Sequence, residues 1–308
     1  VSSPGLPVVI DCDPGHDDAV AILLAAGSPT VELLGITTVA GNQTLERTTR
    51  NARVVATVGG IDVPVRAGCA RPLLRHLRTA GEIHGETGLD GPPPVEPAVP
   101  LADGHAVDWL IDTILARPGE VTLVATGPLT NVALAVRREP RIVAAVRRMV
   151  LMGGSAGRGN VTPAAEYNIR TDPEAAAIVF GEPWSVTMVG LDVTHQALCV
   201  PKIQERLERT GAAGRFVGAL IDFYRARNAE RGAWPDPPVH DPVAVAAVID
   251  PGMVRTEPAT VEVETASHLT AGMTVVDFAA RSGQGHRVAT GLDVDAFWAL
   301  VLDALGRL

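Results

Sequence analysis

Four carboxylates within eight residues, directly after a β-branched run, limit the folds open to this chain. Val8-Val9-Ile10 reads as a short strand, and Asp11-Cys12-Asp13-Pro14-Gly15-His16-Asp17-Asp18 follows it without a spacer. A short, wholly apolar strand belongs in a parallel sheet covered on both faces. In an open α/β sheet, ligands gather beyond the carboxyl ends of the strands, where this acidic run would lie. Four like charges so close repel one another unless something positive neutralises them. Pro14 and Gly15 supply a tight turn that can fold the acids around one point. Ligands that are all oxygen suit a hard cation, Ca2+ or Mg2+. Asp17 and Asp18 would also suit the N-terminus of a following helix, but that accounts for two of the acids and leaves Asp11 and Asp13 unexplained.

The rest of the chain repeats the strand and helix alternation. A helix is expected over residues 17–26, a strand over 33–39 and a helix over 44–58, closed by Gly59-Gly60. Later strands are expected at 121–125, 149–152 and 185–189, with helices at 105–116, 130–138 and 173–180. This order predicts an α/β fold: one mostly parallel, doubly wound, Rossmann-like sheet with helices on both faces. Residues 90–100, 153–165 and 231–239 are rich in Pro or Gly and read as long loops. None separates halves of different composition, so residues 1–308 are read as a single domain, with the C-terminal third packing against the same sheet.

Composition narrows the partners. Of the 308 residues, 46% are hydrophobic and 20% charged, which suits a folded chain with a sizeable core. A net charge of −9 argues against nucleic acid as a partner, since phosphate backbones want a basic face. Cys12, Cys69 and Cys199 are odd in number and widely spaced, which points to a reducing compartment and no disulfide framework. Residues 1–7 lack the pattern of a signal peptide, and the early apolar stretch 19–26 is too short to span a membrane. The expectation is a cytoplasmic protein with no membrane partner; because the chain does not begin with Met, a leader upstream of Val1 stays open.

Two familiar acidic motifs fail on spacing. An EF-hand loop needs alternating oxygen ligands and a Glu at its end, but Pro14 interrupts and Ile22 stands near the required place. A phosphoryl-transfer D-x-D-x-[TV] motif would need Thr or Val where Gly15 stands. Further candidates follow the other strands or sit in loops: Gly41-Asn42, Thr126-Gly127-Pro128-Leu129-Thr130-Asn131, Gly159-Asn160, Glu166-Tyr167-Asn168 and His240-Asp241-Pro242. Taken singly, Asn42 could be a turn residue, and Thr130 or Asp241 a helix cap.

Taken together and in order, these segments resemble the nucleoside hydrolase family. The resemblance rests on Asp-Cys-Asp-Pro-Gly-His-Asp-Asp-Ala, Ala40-Gly41-Asn42, Ile83-His84-Gly85 with Gly88-Leu89, Thr126 to Asn131, Glu166-Tyr167-Asn168 and His240-Asp241-Pro242. The nearest type is the inosine-uridine-preferring, ribonucleoside N-ribohydrolase branch, and the match covers nearly the whole chain. It implies Ca2+-dependent hydrolysis of the N-glycosidic bond of ribonucleosides, and a homodimer or homotetramer.

The resemblance also implies roles. Asp13, Asp18, Asp241 and the main-chain carbonyl of Thr126 would hold Ca2+, with Asp13 also the general base toward the attacking water. Asp17, Asn42, Asn160, Glu166 and Asn168 would hold the ribose hydroxyls, and Met152 would line the sugar pocket. His240 would face the leaving base with His84 on the same side, and Asp11 would orient the loop from behind. The chemistry of the residue types agrees: carboxylates stabilise an oxocarbenium-like sugar and can take a proton from water. A non-catalytic ribose or nucleoside binder on the same fold is the alternative, although a binder has no need of a general base. A glycosidase with two carboxylates flanking the bond and no metal is a third reading.

One position departs from the family pattern. Residues 223–240 correspond to a flap over the base, where Tyr224 has the aromatic identity of purine-handling members. Asn228, four residues on and on the same helical face, stands where a second Tyr is often found. The expectation is therefore a pyrimidine preference, with His240 supplying a proton from an ordinary near-neutral pKa.

Overall fold

The computed structural model describes residues 5–230, 232, 235–279 and 285–308. β1 (Leu6–Cys12) feeds α1 (His16–Gly27), followed by β2 (Val31–Thr38), α2 (Leu45–Val58) and the short β3 (Val65–Ala67). α3 (Gly81–His84) and α4 (Ala106–Ala116) lead to β4 (Thr122–Ala125), α5 (Thr130–Arg138), α6 (Ile142–Ala145) and β5 (Arg148–Met152). Then come α7 (Tyr167–Thr171), α8 (Pro173–Gly181), β6 (Val186–Val189), α9 (Leu191–Thr194), α10 (Pro201–Leu207), α11 (Ala212–Glu230) and α12 (Asp241–Ile249). The chain closes with β7 (Val254–Val263), β8 (Thr274–Asp277), β9 (His286–Leu292) and α13 (Val294–Leu305).

The strands form one sheet in the order β3-β2-β1-β4-β5-β6-β9-β7-β8. Pairing is parallel from β3 across to β9, and β7 runs antiparallel to both β9 and β8. Side chains alternate across β1, so each face feeds its own core. Val8, Ile10 and Cys12 join an apolar cluster with α1, α12 and α13. Val9 points the other way, into a cluster with α4, α5 and α8. The alternation of strand and helix read from the sequence thus yields the expected mostly parallel, two-faced α/β fold.

The C-terminal third does more than pack against the sheet: α12 and α13 cover one face, and β7, β8 and β9 extend it. β7 alternates buried Val254, Ala259 and Val261 with exposed Arg255, Glu257 and Glu262, the pattern of a strand wet on one face. Residues 90–100 and 153–165 carry no helix or strand, as expected. Of the expected loop 231–239, Arg231, Ala233 and Trp234 lie outside the described residues, as do Val1 to Pro4 of the segment read for a signal peptide. Among the described residues no helix is long and apolar enough to cross a membrane.

Candidate active site

The chain turns from β1 to β2 and β3 on one side, then crosses to β4, β5 and β6 on the other. The crevice between the carboxyl ends of β1 and β4 is therefore the switch point of the sheet, where open α/β folds bind ligands. Asp11 lies at its base, wholly buried. One of its oxygens accepts the Thr37 hydroxyl at 2.6 Å and the Asn131 amide at 2.8 Å. Burial pushes its carboxyl up to about 6 against those hydrogen bonds. Asp11 thus ties β1 to β2 and α5 beneath the loop.

Asp13 is also wholly buried. Its Oδ2 accepts the Asn42 main-chain N–H at 2.6 Å, while Oδ1 is buried with no partner. Two glycines make room for this carboxylate: a Cβ on Gly41 would lie 2.1 Å from Oδ2, and one on Gly127 2.6 Å from Oδ1. Asp18 accepts the Gly15 N–H at 3.0 Å and the Asn42 amide at 3.3 Å on one oxygen, and the Thr126 hydroxyl at 2.8 Å on the other. Asp17, Asp18 and Asp241 are all buried and bring carboxylate oxygens within 4.8 Å of one another. Burial, then the neighbouring Asp17, raises Asp18 to about 7. Burial and the surrounding carboxylates raise Asp13 and Asp241 well above the usual range. Such a cluster could hold a metal ion: its donors are hard oxygens, and Asp13, which keeps an unpartnered buried oxygen, acts on Asp18 by charge. Asp17, expected on the ribose, belongs to the converging trio, whereas Asp13 stands next to it. The Thr126 carbonyl accepts the Asn168 amide at 2.8 Å.

Above the acids opens a cavity of about 740 Å3. Asn42, Met152, Asn160, Glu166 and Asn168 line it with Asp17, Thr126 and Asp241, while Asp13 and Asp18 lie behind that wall. Glu166 caps α7: one oxygen accepts the Asn168 N–H at 2.9 Å, the other the N–H groups of Gly154 at 3.0 Å and Ile169 at 3.1 Å. Burial raises it to about 7 even so. Asn168 also donates to the Met152 carbonyl at 3.2 Å. Asn160 is exposed at the mouth, its amide oxygen taking the Tyr167 N–H at 3.0 Å.

His84, Tyr224, Asn228 and His240 line the same cavity. Tyr224 and Asn228, one helical turn apart on α11, are both buried there. The His240 main-chain N–H donates to Asp17 at 3.2 Å, and its Nδ1 lies 2.7 Å from the Thr194 hydroxyl. Burial lowers His240 to about 4, with nearby Asp17 opposing and His195 adding to the shift. Burial thus works against the near-neutral proton donor expected from sequence.

Residues 8–299 match the inosine-uridine preferring nucleoside hydrolase family. The chain belongs to that family. The inosine-uridine preferring nucleoside hydrolase of Leishmania major is 52% identical over 308 residues, with 98% of each chain covered. The pyrimidine-specific ribonucleoside hydrolase RihB of Escherichia coli is 44% identical over 298 residues, covering 96% of this chain and 95% of that one. The structure of a purine-preferring ribonucleoside hydrolase from Gardnerella vaginalis superposes with a TM-score of 0.91 at 33% identity, covering 97% and 98% of the two chains. This nucleoside hydrolase is thus a hydrolase of N-glycosyl bonds acting on ribonucleosides. The names of these relatives span three base preferences.

Two residues of this nucleoside hydrolase hold places at the site that no sequence spacing announces. Thr194 orients His240 from a position 46 residues away. His16 meets His84 ring to ring across 68 positions, with centroids 5.1 Å apart. Only His16's place inside the acidic run hinted at a role.

Proposed function

We propose that this nucleoside hydrolase uses Ca2+, held among Asp13, Asp18, Asp241 and the main-chain carbonyl of Thr126, and that it prefers pyrimidine ribonucleosides. The observation that carries the cation is the convergence of the buried Asp17, Asp18 and Asp241 oxygens, with Asp13, whose buried Oδ1 is unpartnered and closely approached by Gly127, acting on Asp18 by charge. When bound, a divalent cation would neutralise the carboxylates and lower the pKa of a water at the site.

The chain's own groups do the rest. Asp13 takes the proton of the attacking water through its free oxygen. Asp17, Asn42, Asn160, Glu166 and Asn168 hold the ribose hydroxyls, with Met152 against the sugar. The buried carboxylates stabilise the positive charge that grows on the anomeric carbon. His240, with Nδ1 at Thr194, turns its other ring nitrogen toward the departing base, flanked by His84 and Tyr224. Asn228 leaves the base short of one aromatic neighbour, which favours the smaller pyrimidine. Residues 1–308 act as one nucleoside hydrolase domain, in a cytoplasmic homodimer or homotetramer with no nucleic-acid or membrane partner.

Titrating Ca2+ or Mg2+ into protein stripped with EDTA, while following uracil release from uridine, tests the metal. Activity should return with Ca2+ at a stoichiometry of one per chain. Full activity in the stripped protein would refute it.

A further inference from the structure

Gln43, Arg47 and Asn51 donate to three successive main-chain carbonyls of the loop that leaves His84. Gln43 Nε2 reaches the Gly85 carbonyl at 2.9 Å, Arg47 the Glu86 carbonyl, and Asn51 Nδ2 the Thr87 carbonyl at 2.9 Å. Their four-residue spacing puts them in one row along α2, with Gln43 just ahead of its first turn. The row is braced within itself. Gln43 Oε1 accepts Arg47 at 3.2 Å, and since a guanidinium only donates, the Gln43 amide nitrogen is left for Gly85. Gln43 and Asn51 are buried, where an amide hydrogen bond is costly to lose. The loop fits against the row through Gly88, whose φ is +89°: a Cβ there would lie 2.7 Å from Asn51 Nδ2 and 3.0 Å from Gln43 Cγ. Asp90 closes the loop from within, accepting the N–H groups of Glu86 at 2.9 Å and Thr87 at 3.2 Å. Asn51 has a second partner: its amide nitrogen also donates to the Pro14 carbonyl at 2.9 Å, inside the acidic turn.

We propose that Gln43, Arg47 and Asn51 are positioning residues that set His84 against the nucleobase by holding the three carbonyls that follow it, and that Asn51 also couples this base-side loop to the acidic turn. The proposal rests on the reading above that the base leaves beside His84. His84 lines the cavity, whereas the three side chains of the row stand outside its lining and act through the loop.

Uridine and 4-nitrophenyl β-D-riboside separate a base-side effect from a general one. They share the ribose, but 4-nitrophenolate is a stable anion that leaves unaided, whereas uracil needs its orientation toward His240. Gln43→Leu should lower kcat for uridine about tenfold, the worth of one net hydrogen bond, and leave kcat for the riboside within about twofold of wild type. Arg47→Met should act in the same sense by about threefold, and Arg47→Lys, which keeps a donor for the Glu86 carbonyl, should restore uridine turnover. Asn51→Leu should slow both substrates about tenfold or more, because it releases the acidic turn as well. Equal losses on the two substrates in Gln43→Leu, or no loss on uridine, overturn the proposal. Should Gln43→Leu fail to fold, the exposed Arg47 decides in its place, and unchanged uridine turnover in Arg47→Met overturns it. Asn51→Leu slowing uridine alone overturns the coupling to the acidic turn. His84→Ala reports on the underlying reading. Unchanged uridine turnover there overturns the base-side assignment and the proposal with it, whereas a loss there with none in Gln43→Leu overturns the proposal alone.

Discussion

The carboxylate of Asp17 accepts the main-chain N–H of His240 at 3.2 Å, joining positions 223 residues apart. The bond ties the first turn of α1 to the start of α12, and it brings Asp241 into the cluster with Asp17 and Asp18. In the proposed assignment, the sugar, cation and base sides of the cavity meet at this hydrogen bond. Asp17→Asn keeps an acceptor for that N–H and removes the charge, whereas Asp17→Ala removes both. Both should weaken Ca2+ binding, read by calorimetry. Only Asp17→Ala should also lower the kcat that remains at saturating Ca2+ further than Asp17→Asn does. Equal residual kcat in the two variants would mean that the bond to His240 has no part in the reaction.

Asp13→Ala removes the unpartnered oxygen and with it the proposed base. A fall in kcat for uridine of about 10^2–10^4-fold is expected, the usual worth of general-base catalysis. Thermal melting of the stripped protein should not suffer, because the variant also removes a buried carboxylate held against burial and neighbouring charge. A kcat within about threefold of wild type would place the base elsewhere.

The ribose assignment predicts strong rejection of 2′-deoxyuridine. Sites built to hydrogen-bond a hydroxyl discriminate by about 10^4-fold or more when it is missing, because their own polar groups are left unpaired. Comparable kcat/KM values for uridine and 2′-deoxyuridine would remove Asp17 and its neighbours from the sugar.

Buried carboxylates should make the cation's effect depend on pH. Asp18 and Glu166 are raised to about 7 and Asp11 to about 6, so without a cation their contribution to stability is complete below about pH 4 and is lost as pH rises through those values. His16, His84 and His240 are lowered to about 3, 4 and 4, so they act in the opposite sense, losing stability as pH falls below about 6.5. The histidines are common to both forms, so the difference in Tm with and without Ca2+ isolates the carboxylates. That difference should grow from about pH 5 to about pH 8. A difference that is flat or shrinks over this range would separate the acidic cluster from cation binding.

In the proposed reading, Asn228 sets base preference. Adding an aromatic ring beside Tyr224 is worth about 0.5–1.5 kcal/mol, a few-fold to roughly tenfold in rate. Asn228→Tyr should therefore raise kcat/KM for inosine more than for uridine. A wild type already faster on inosine, or a variant in which neither ratio moves, would shift base selection to another wall of the cavity.

Much of this site is legible in the sequence because it is local. Asp11 to Asp18 follow a wholly apolar strand, and like charges so close demand a common purpose. Tyr224 and Asn228 can be paired by their four-residue spacing alone, and both reach the cavity. What is hidden depends on tertiary approach. The carboxylate of Asp13 fits, with Oδ1 buried and unpartnered, because Gly41 and Gly127, distant in sequence, leave room for its two oxygens. The lowered pKa of His240 comes from burial, and the contact of His16 with His84 depends on the bare α-carbon of Gly15. In the fold, β3 is too short for its periodicity to register, and the charged outer face of β7 obscures its membership of the sheet.

Incubating uridine with purified, Ca2+-loaded protein in phosphate-free buffer and quantifying both products tests the central claim most directly. Uracil and ribose should appear in equal amounts, with the rate collapsing in Asp13→Ala. Saturable binding of uridine with neither product formed would contradict hydrolysis and describe a ribonucleoside-binding protein on the same fold.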